Sequence, residues 1–208
     1  MIRHILFDLD NTLYSAKFGL GEMYYVHLRR FVSHLLGVSL EEGTRLQIEN
    51  SKRCGTTIRW LTSEKGFTDL DAYFANLHPE NEADSLSPDP ELRKFLENLP
   101  CPSSILTNSP LFHAQRILKK MELEGIFQHI FDIIGNNLEG KPDPLSYRRA
   151  LEKIGLKSEE VLFVDDIPRY VEGYLAIGGR GILFDEMDMY KDYPHERIKN
   201  IYELDRYL

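Results

Sequence analysis

Cysteine is nearly missing from this chain. Only Cys54 and Cys101 occur in 208 residues, too few for a disulfide framework or a four-thiolate zinc site. No run of about 18 apolar residues occurs, which leaves no candidate membrane span. A basic excess is also missing: 25 Lys and Arg stand against 33 Asp and Glu, for a formal net charge of −8. A chain-wide electrostatic footprint for a nucleic-acid polymer is therefore excluded. The opening stretch reads Met-Ile-Arg-His-Ile-Leu-Phe-Asp and turns acidic too early for a secretory leader. Internal repeats and low-complexity tracts are lacking as well. These absences predict a cytoplasmic protein with neither a membrane nor a polynucleotide as partner; a monomer or homodimer is the expected state. What is there suffices for a core, since 42% of residues are hydrophobic and 11% aromatic. The length suits one domain, or one domain carrying an insertion.

Five apolar runs read as strands: Ile2–Leu9, Ser103–Thr107, Ile130–Gly135, Val161–Asp165 and Gly179–Phe184. Nearly continuous apolar character is the mark of parallel strands buried on both faces. Helical patterns alternate with them. Leu111, Ala114, Leu118 and Met121 recur at spacings of three and four within Leu111–Leu123. Tyr147, Ala150, Leu151 and Ile154 do the same within Pro144–Leu156, up to Gly155. Strand–helix alternation predicts an α/β fold with a doubly wound parallel sheet. Residues 15–87 break that rhythm. Tyr24, Leu28, Phe31 and Leu35 lie at helical spacing before Gly37, and Thr68 could cap a helix bearing Leu70, Tyr73, Phe74 and Leu77. Between them, Glu41–Gly66 reads as helix interrupted at Gly43 and Gly55. The expected organisation is an α/β core from residues 1–14 and 88–208, with a helical cap at 15–87. Ser15–Gly19 and Ser87–Pro90 suit hinges.

The first strand ends in Asp8-Leu9-Asp10-Asn11-Thr12. Strand residues two apart share a side, so Asp8 and Asp10 should face one space at the strand's C-terminal end, where open α/β sheets bind ligands. A second acidic pair, Asp165-Asp166, ends another apolar strand. If the two strands are neighbours, four carboxylates converge. Two such charges about 4 Å apart repel by roughly 4 kcal/mol at an effective dielectric of 20. That demands a cation, a raised carboxyl pKa, or both. All-oxygen ligation beside a phosphate suits Mg²⁺, and no His or Cys lies near these motifs in sequence. Thr107-Asn108-Ser109-Pro110 leads from a strand into a helix, a ready anion site or an ordinary cap. Gly140-Lys141-Pro142-Asp143-Pro144 places a lysine before a helix start, where the dipole disfavours it unless an anion compensates.

Taken in order, these four motifs resemble those of the haloacid dehalogenase superfamily. The resemblance implies a Rossmann-like core with a helical cap inserted after the first strand. A closer resemblance, to the pyrimidine 5′-nucleotidase-like branch, rests on Asp10–Tyr14, Cys54–Arg59, Pro88–Arg93, Thr107-Asn108 with His113-Ala114-x-Arg116, and Phe163–Asp166. By position, the resemblance implies that Asp8 is the nucleophile forming an aspartyl-phosphate and Asp10 the acid and base. It implies Mg²⁺ held by Asp8, the Asp10 carbonyl and Asp165, and phosphate gripped by Thr107, Asn108 and Lys141. Asp166 and Thr12 would support that shell. Four carboxylates against Mg²⁺ and Lys141 leave room for a phosphate dianion. The carboxylate at Asp10 favours phosphoryl transfer, since dehalogenases of the superfamily lack one there. This chain departs from the branch at Ile167 and Tyr170, where Ser and Asn are usual.

The substrate implied is a phosphomonoester, with a pyrimidine nucleoside 5′-monophosphate first. Small sugar phosphates or phosphoglycolate come second. A phosphate-binding module without catalysis is the reading from another class. Tyr14, Phe18, Thr56 and Arg59 are the candidates for choosing the substrate, by stacking and by hydrogen bonding.

Overall fold

The computed structural model describes all 208 residues. Six parallel strands form one sheet in the order β3-β2-β1-β4-β5-β6. They are β1 (His4–Phe7), β2 (Ser103–Leu106), β3 (Ile130–Phe131), β4 (Val161–Asp165), β5 (Arg180–Phe184) and β6 (Arg197–Ile198). β1 and β4 are neighbours, with Phe7 opposite Val164. Alternate strand residues feed two cores, as the strand period requires. Ile5, Phe7, Leu162 and Val164 face one side and Leu6, Val161 and Phe163 the other. Helices cover both faces. α5 (Pro90–Glu97) and α6 (Leu111–Lys120) pack on the first core; α7 (Pro144–Ile154) and α8 (Pro168–Ala176) pack on the second.

Between β1 and α5 the chain builds four helices and no strand: α1 (Leu20–Leu36), α2 (Leu40–Cys54), α3 (Thr57–Lys65) and α4 (Leu70–Leu77). They enclose a separate apolar cluster of Leu28, Val32, Ile58, Trp60, Leu61, Tyr73, Phe74 and Leu77, joined by Ile133 from beyond β3.

Several local expectations need correction. The third strand is two residues, because the Asp132 carboxylate accepts from the N–H groups of Ile134 and Gly135 and turns the chain there. Gly43 does not interrupt α2; it lies inside the helix where α1 crosses. Gly55 does stop it, at φ +90°. The cap of α4 is Asp69, whose carboxylate accepts from Ala72 N, rather than Thr68. On α6 the buried face is His113, Ala114, Ile117 and Leu118, while Leu111 is 40% exposed. Residues 88–90 open a helix, with Asp89 as its cap and Pro90 in its first turn. β6 had no counterpart in the sequence reading. Its two residues are too few to show a period.

Candidate active site

β1 and β4 deliver their acidic residues to a single point. Both strands stop at the same level of the sheet, and the Asp8 N–H donates to Val164 O at 2.8 Å. Past β1 the chain turns sharply through Asn11, whose φ of +59° is one that Asn tolerates better than most residues. That turn brings Thr12 Oγ1 back to donate to Asp8 Oδ2 at 3.3 Å. Lys141 lies buried between the strand ends, its Nζ 2.5 Å from Asp8 Oδ1 and 2.6 Å from Asp165 Oδ2. Its ammonium also sits 5.5 Å from the Phe163 ring centre and 5.3 Å from that of Tyr170, within cation–π range. The departure at Tyr170 thus gives Lys141 an aromatic wall. The Ile167 N–H donates to Asp165 Oδ1 at 2.8 Å.

Asn108 places the lysine. Its side-chain oxygen accepts from Lys141 N at 2.7 Å, and its amide donates to Lys141 O at 2.9 Å. Gly140 leaves room for this clamp, since a Cβ there would stand 2.5 Å from Asn108 Oδ1. The helix begins at Pro144, as expected, with Asp143 as its cap. Thr107 is buried and its hydroxyl accepts from Ser109 N at 3.0 Å. Asp166 does not meet Lys141. Its Oδ2 accepts from Asn11 Nδ2 at 3.4 Å.

Asp10 stands beside this cluster with three donors on its carboxylate. Tyr14 Oη and His113 Nε2 reach Oδ1, and Ser109 Oγ reaches Oδ2, each at 2.7 Å. His113 Nδ1 lies 2.9 Å from Glu82 Oε1 without the alignment of a hydrogen bond. Glu82 Oε2 lies 2.8 Å from His78 Nδ1, and the Arg116 guanidinium closes on Oε1. His113, Glu82, His78 and Ser109 received no role from sequence. The available signal was a histidine at i to the apolar i+4 and i+8 of Ile117 and Met121, which put it on the buried face of α6.

The charge states follow from this packing. Burial pushes the Asp8 carboxyl up to about 7 despite Lys141. Burial, with Asp165 and Asp8 adding, pushes Asp166 well above the carboxylate range. Asp165 is raised by burial too. Lys141 loses to burial but is held charged by Asp165 and Asp8. Asp10 goes the other way: although burial opposes it, His113 and the hydroxyl donors pull it well down. His113 rises to about 10 against burial, through Asp10 and Glu82.

A model of the haloacid dehalogenase-like hydrolases matches residues 2–178. The chain belongs to that family. It is 27% identical over 204 residues to phosphate metabolism protein 8 of Saccharomyces cerevisiae, covering 91% of this chain but only 62% of that longer protein. It is 25% identical over 213 residues to a phosphatase of Mycobacterium tuberculosis, covering 92% of this chain and 91% of the relative. Among solved structures, a haloacid dehalogenase phosphatase of Thermococcus onnurineus superposes with a TM-score of 0.65 at 19% identity. That match covers 99% of this chain and 97% of the other, and it speaks for the fold.

In this family member a cavity of about 180 Å³ runs from Asp8, Asp10 and Lys141 into the four-helix insert. Tyr14 and Thr56 line it, together with Tyr24, Tyr73 and Gln47. Phe18 does not: it lies outside the lining and is 39% exposed. Arg59 also lies outside, paired with Asp143 beyond the cavity wall. Thr56 additionally caps α3, accepting from Arg59 N at 3.2 Å. No helix is long and apolar enough to cross a membrane.

Proposed function

We propose that this protein is a cytoplasmic, Mg²⁺-dependent phosphomonoester hydrolase that works through an aspartyl-phosphate on Asp8. Its preferred substrates are pyrimidine nucleoside 5′-monophosphates. The observation that carries the reading is the meeting of Asp8, Lys141 and Asp165 within hydrogen-bond reach, with Asp10 held alongside. The relatives named as phosphatases support the reaction class.

The donor set fits the metal. Carboxylate oxygens of Asp8, Asp165 and Asp166 lie within 4.8 Å of one another. One lysine against three carboxylates leaves a deficit of positive charge; burial first, and the neighbouring carboxylates second, hold the Asp8 and Asp166 carboxyls above their usual range. Hard oxygen donors suit Mg²⁺. Asp8, the Asp10 carbonyl and Asp165 would hold it, with Asp166 behind them, and it would supply charge against the phosphoryl oxygens. An Asp8 oxygen forms a bond to phosphorus as the bond to the leaving oxygen breaks, and Asp10, ionised in the free site, takes up a proton as substrate binds and gives it to that oxygen. Asp10 then takes a proton from water, which attacks phosphorus and frees Asp8. Lys141 would steady Asp8 and the phosphoryl group, and Thr107 and Asn108 would grip the phosphate oxygens. The four-helix insert acts as a cap that excludes bulk water from the first step.

For the nucleoside, Tyr24 and Tyr73 supply aromatic lining to the cavity, and Gln47 and Thr56 supply polar lining. Asp8→Asn should abolish p-nitrophenyl phosphate turnover while the far-UV circular dichroism stays unchanged. Near-normal turnover would remove Asp8 as nucleophile. A panel of nucleotides and sugar phosphates ranked by kcat/KM tests the substrate. A ranking led by sugar phosphates would refute the nucleotide assignment alone.

A further inference from the structure

Asp10 is supported by more machinery than a proton donor requires. Behind its carboxylate lies a buried chain of groups. His113 Nε2 is 2.7 Å from Asp10 Oδ1, and its other ring nitrogen is 2.9 Å from Glu82 Oε1. Glu82 is in turn held by His78 Nδ1 and by Arg116. Arg116 also donates to the carbonyls of His78 and Pro79, at 3.3 and 3.1 Å. His113, Glu82 and His78 are all buried. Buried ionic groups of this kind add little net stability over apolar residues of similar size. A stabilising role therefore does not account for them, whereas their direction does: the chain of groups ends on one rotamer of a carboxylate at the reacting centre.

We propose that His113 and Glu82 are positioning residues that fix the orientation of the Asp10 carboxylate toward the leaving oxygen. The inference rests on the reading of Asp10 as leaving-group acid. Glu82 is the anchor. It lies on the segment that returns from α4 to α5, and Arg116 pins that segment to α6 by its carbonyls. Ser109 and Tyr14 hold Asp10 from two other directions, but only the His113 branch connects it to the returning segment.

An orientation fault in an acid shows only where the leaving group needs a proton. The test is kcat/KM for p-nitrophenyl, phenyl and 2-phenylethyl phosphate, which reports transfer to Asp8 and excludes the later water step. In His113→Ala the 2-phenylethyl ester should lose about 100-fold relative to the p-nitrophenyl ester. That is the size expected of a misplaced acid. Glu82→Gln and His113→Gln should fall between wild type and His113→Ala, since each retains part of the branch. Should His113→Ala not fold, the ratio in the two Gln variants decides. Parallel losses on all three esters, or an unchanged ratio, overturn the proposal. Asp10→Asn must show at least as steep a dependence on the leaving group. If it does not, the acid assignment itself falls, which is a separate failure.

Discussion

Lys141 shows how a charge that sequence alone would place in solvent becomes the most confined group in the site. Two hydrogen bonds with the Asn108 side-chain amide hold its main chain, and Asp8, Asp165 and two aromatic rings take its ammonium. The lysine nevertheless brings one positive charge to three clustered carboxylates. A divalent cation should therefore stabilise the folded protein as well as activate it. Binding to the folded state alone adds RT ln(1 + [L]/Kd), about 1.4 kcal/mol at a tenfold excess over Kd. Treatment with EDTA should stop turnover and lower the thermal midpoint, and added Mg²⁺ should reverse both. Asp165→Asn should lose the Mg²⁺ dependence of the midpoint. Full activity in EDTA would contradict the metal assignment. At this scale the motifs carried Asp8, Asp10, Lys141 and Asp165 to one place. They included His113 without giving it a role and were silent on Glu82, because a contact 31 residues apart between a returning segment and a helix face leaves no spacing to read.

At the scale of elements, the crossing of α1 over α2 depends on a missing side chain. A Cβ at Gly43 would stand 2.1 Å from Ser33 Oγ and 2.9 Å from Ser33 Cα. The hydroxyl could rotate, but the backbone cannot, so the helices would have to separate. Overpacking of this kind costs about 1–3 kcal/mol, set against roughly 1 kcal/mol gained from alanine's helix preference. Gly43→Ala should lower the urea midpoint, and Ser33→Gly in the same chain should recover part of the loss. A stabilised single variant would mean that the helices separate freely. The same crossing explains why the sequence misplaced a helix break here: a glycine needed for close approach and one needed for a turn look alike in one dimension. The central strands read well because both faces of β1 and β4 are buried and most of their residues are apolar. The outer strands did not, since two-residue pairings carry no period.

Across the whole molecule, the four-helix insert is tied to the α/β part at three places of unequal character. The outgoing segment is fixed by Glu186, which accepts from Ser15 Oγ at 2.7 and 2.8 Å and pairs with Lys17. The returning segment is fixed by Arg116 and His113. The third tie spans the gap without a chain connection: Arg59 on α3 meets Asp143, the cap of α7, with side chains 37% and 18% exposed. A partly exposed pair contributes about 0–1 kcal/mol, so it should give way first if the insert moves. Arg59→Ala should leave the denaturation midpoint nearly unchanged and raise KM by up to about fivefold, which corresponds to 1 kcal/mol. Because Arg59 lies outside the cavity lining, that rise should be the same for every ester tested. Raising salt should increase KM in wild type, since exposed charges are screened within about 10 Å at 0.1 M, and should do less in the variant. A KM change confined to nucleotides would instead return Arg59 to the role its sequence position suggested, in contact with the leaving group.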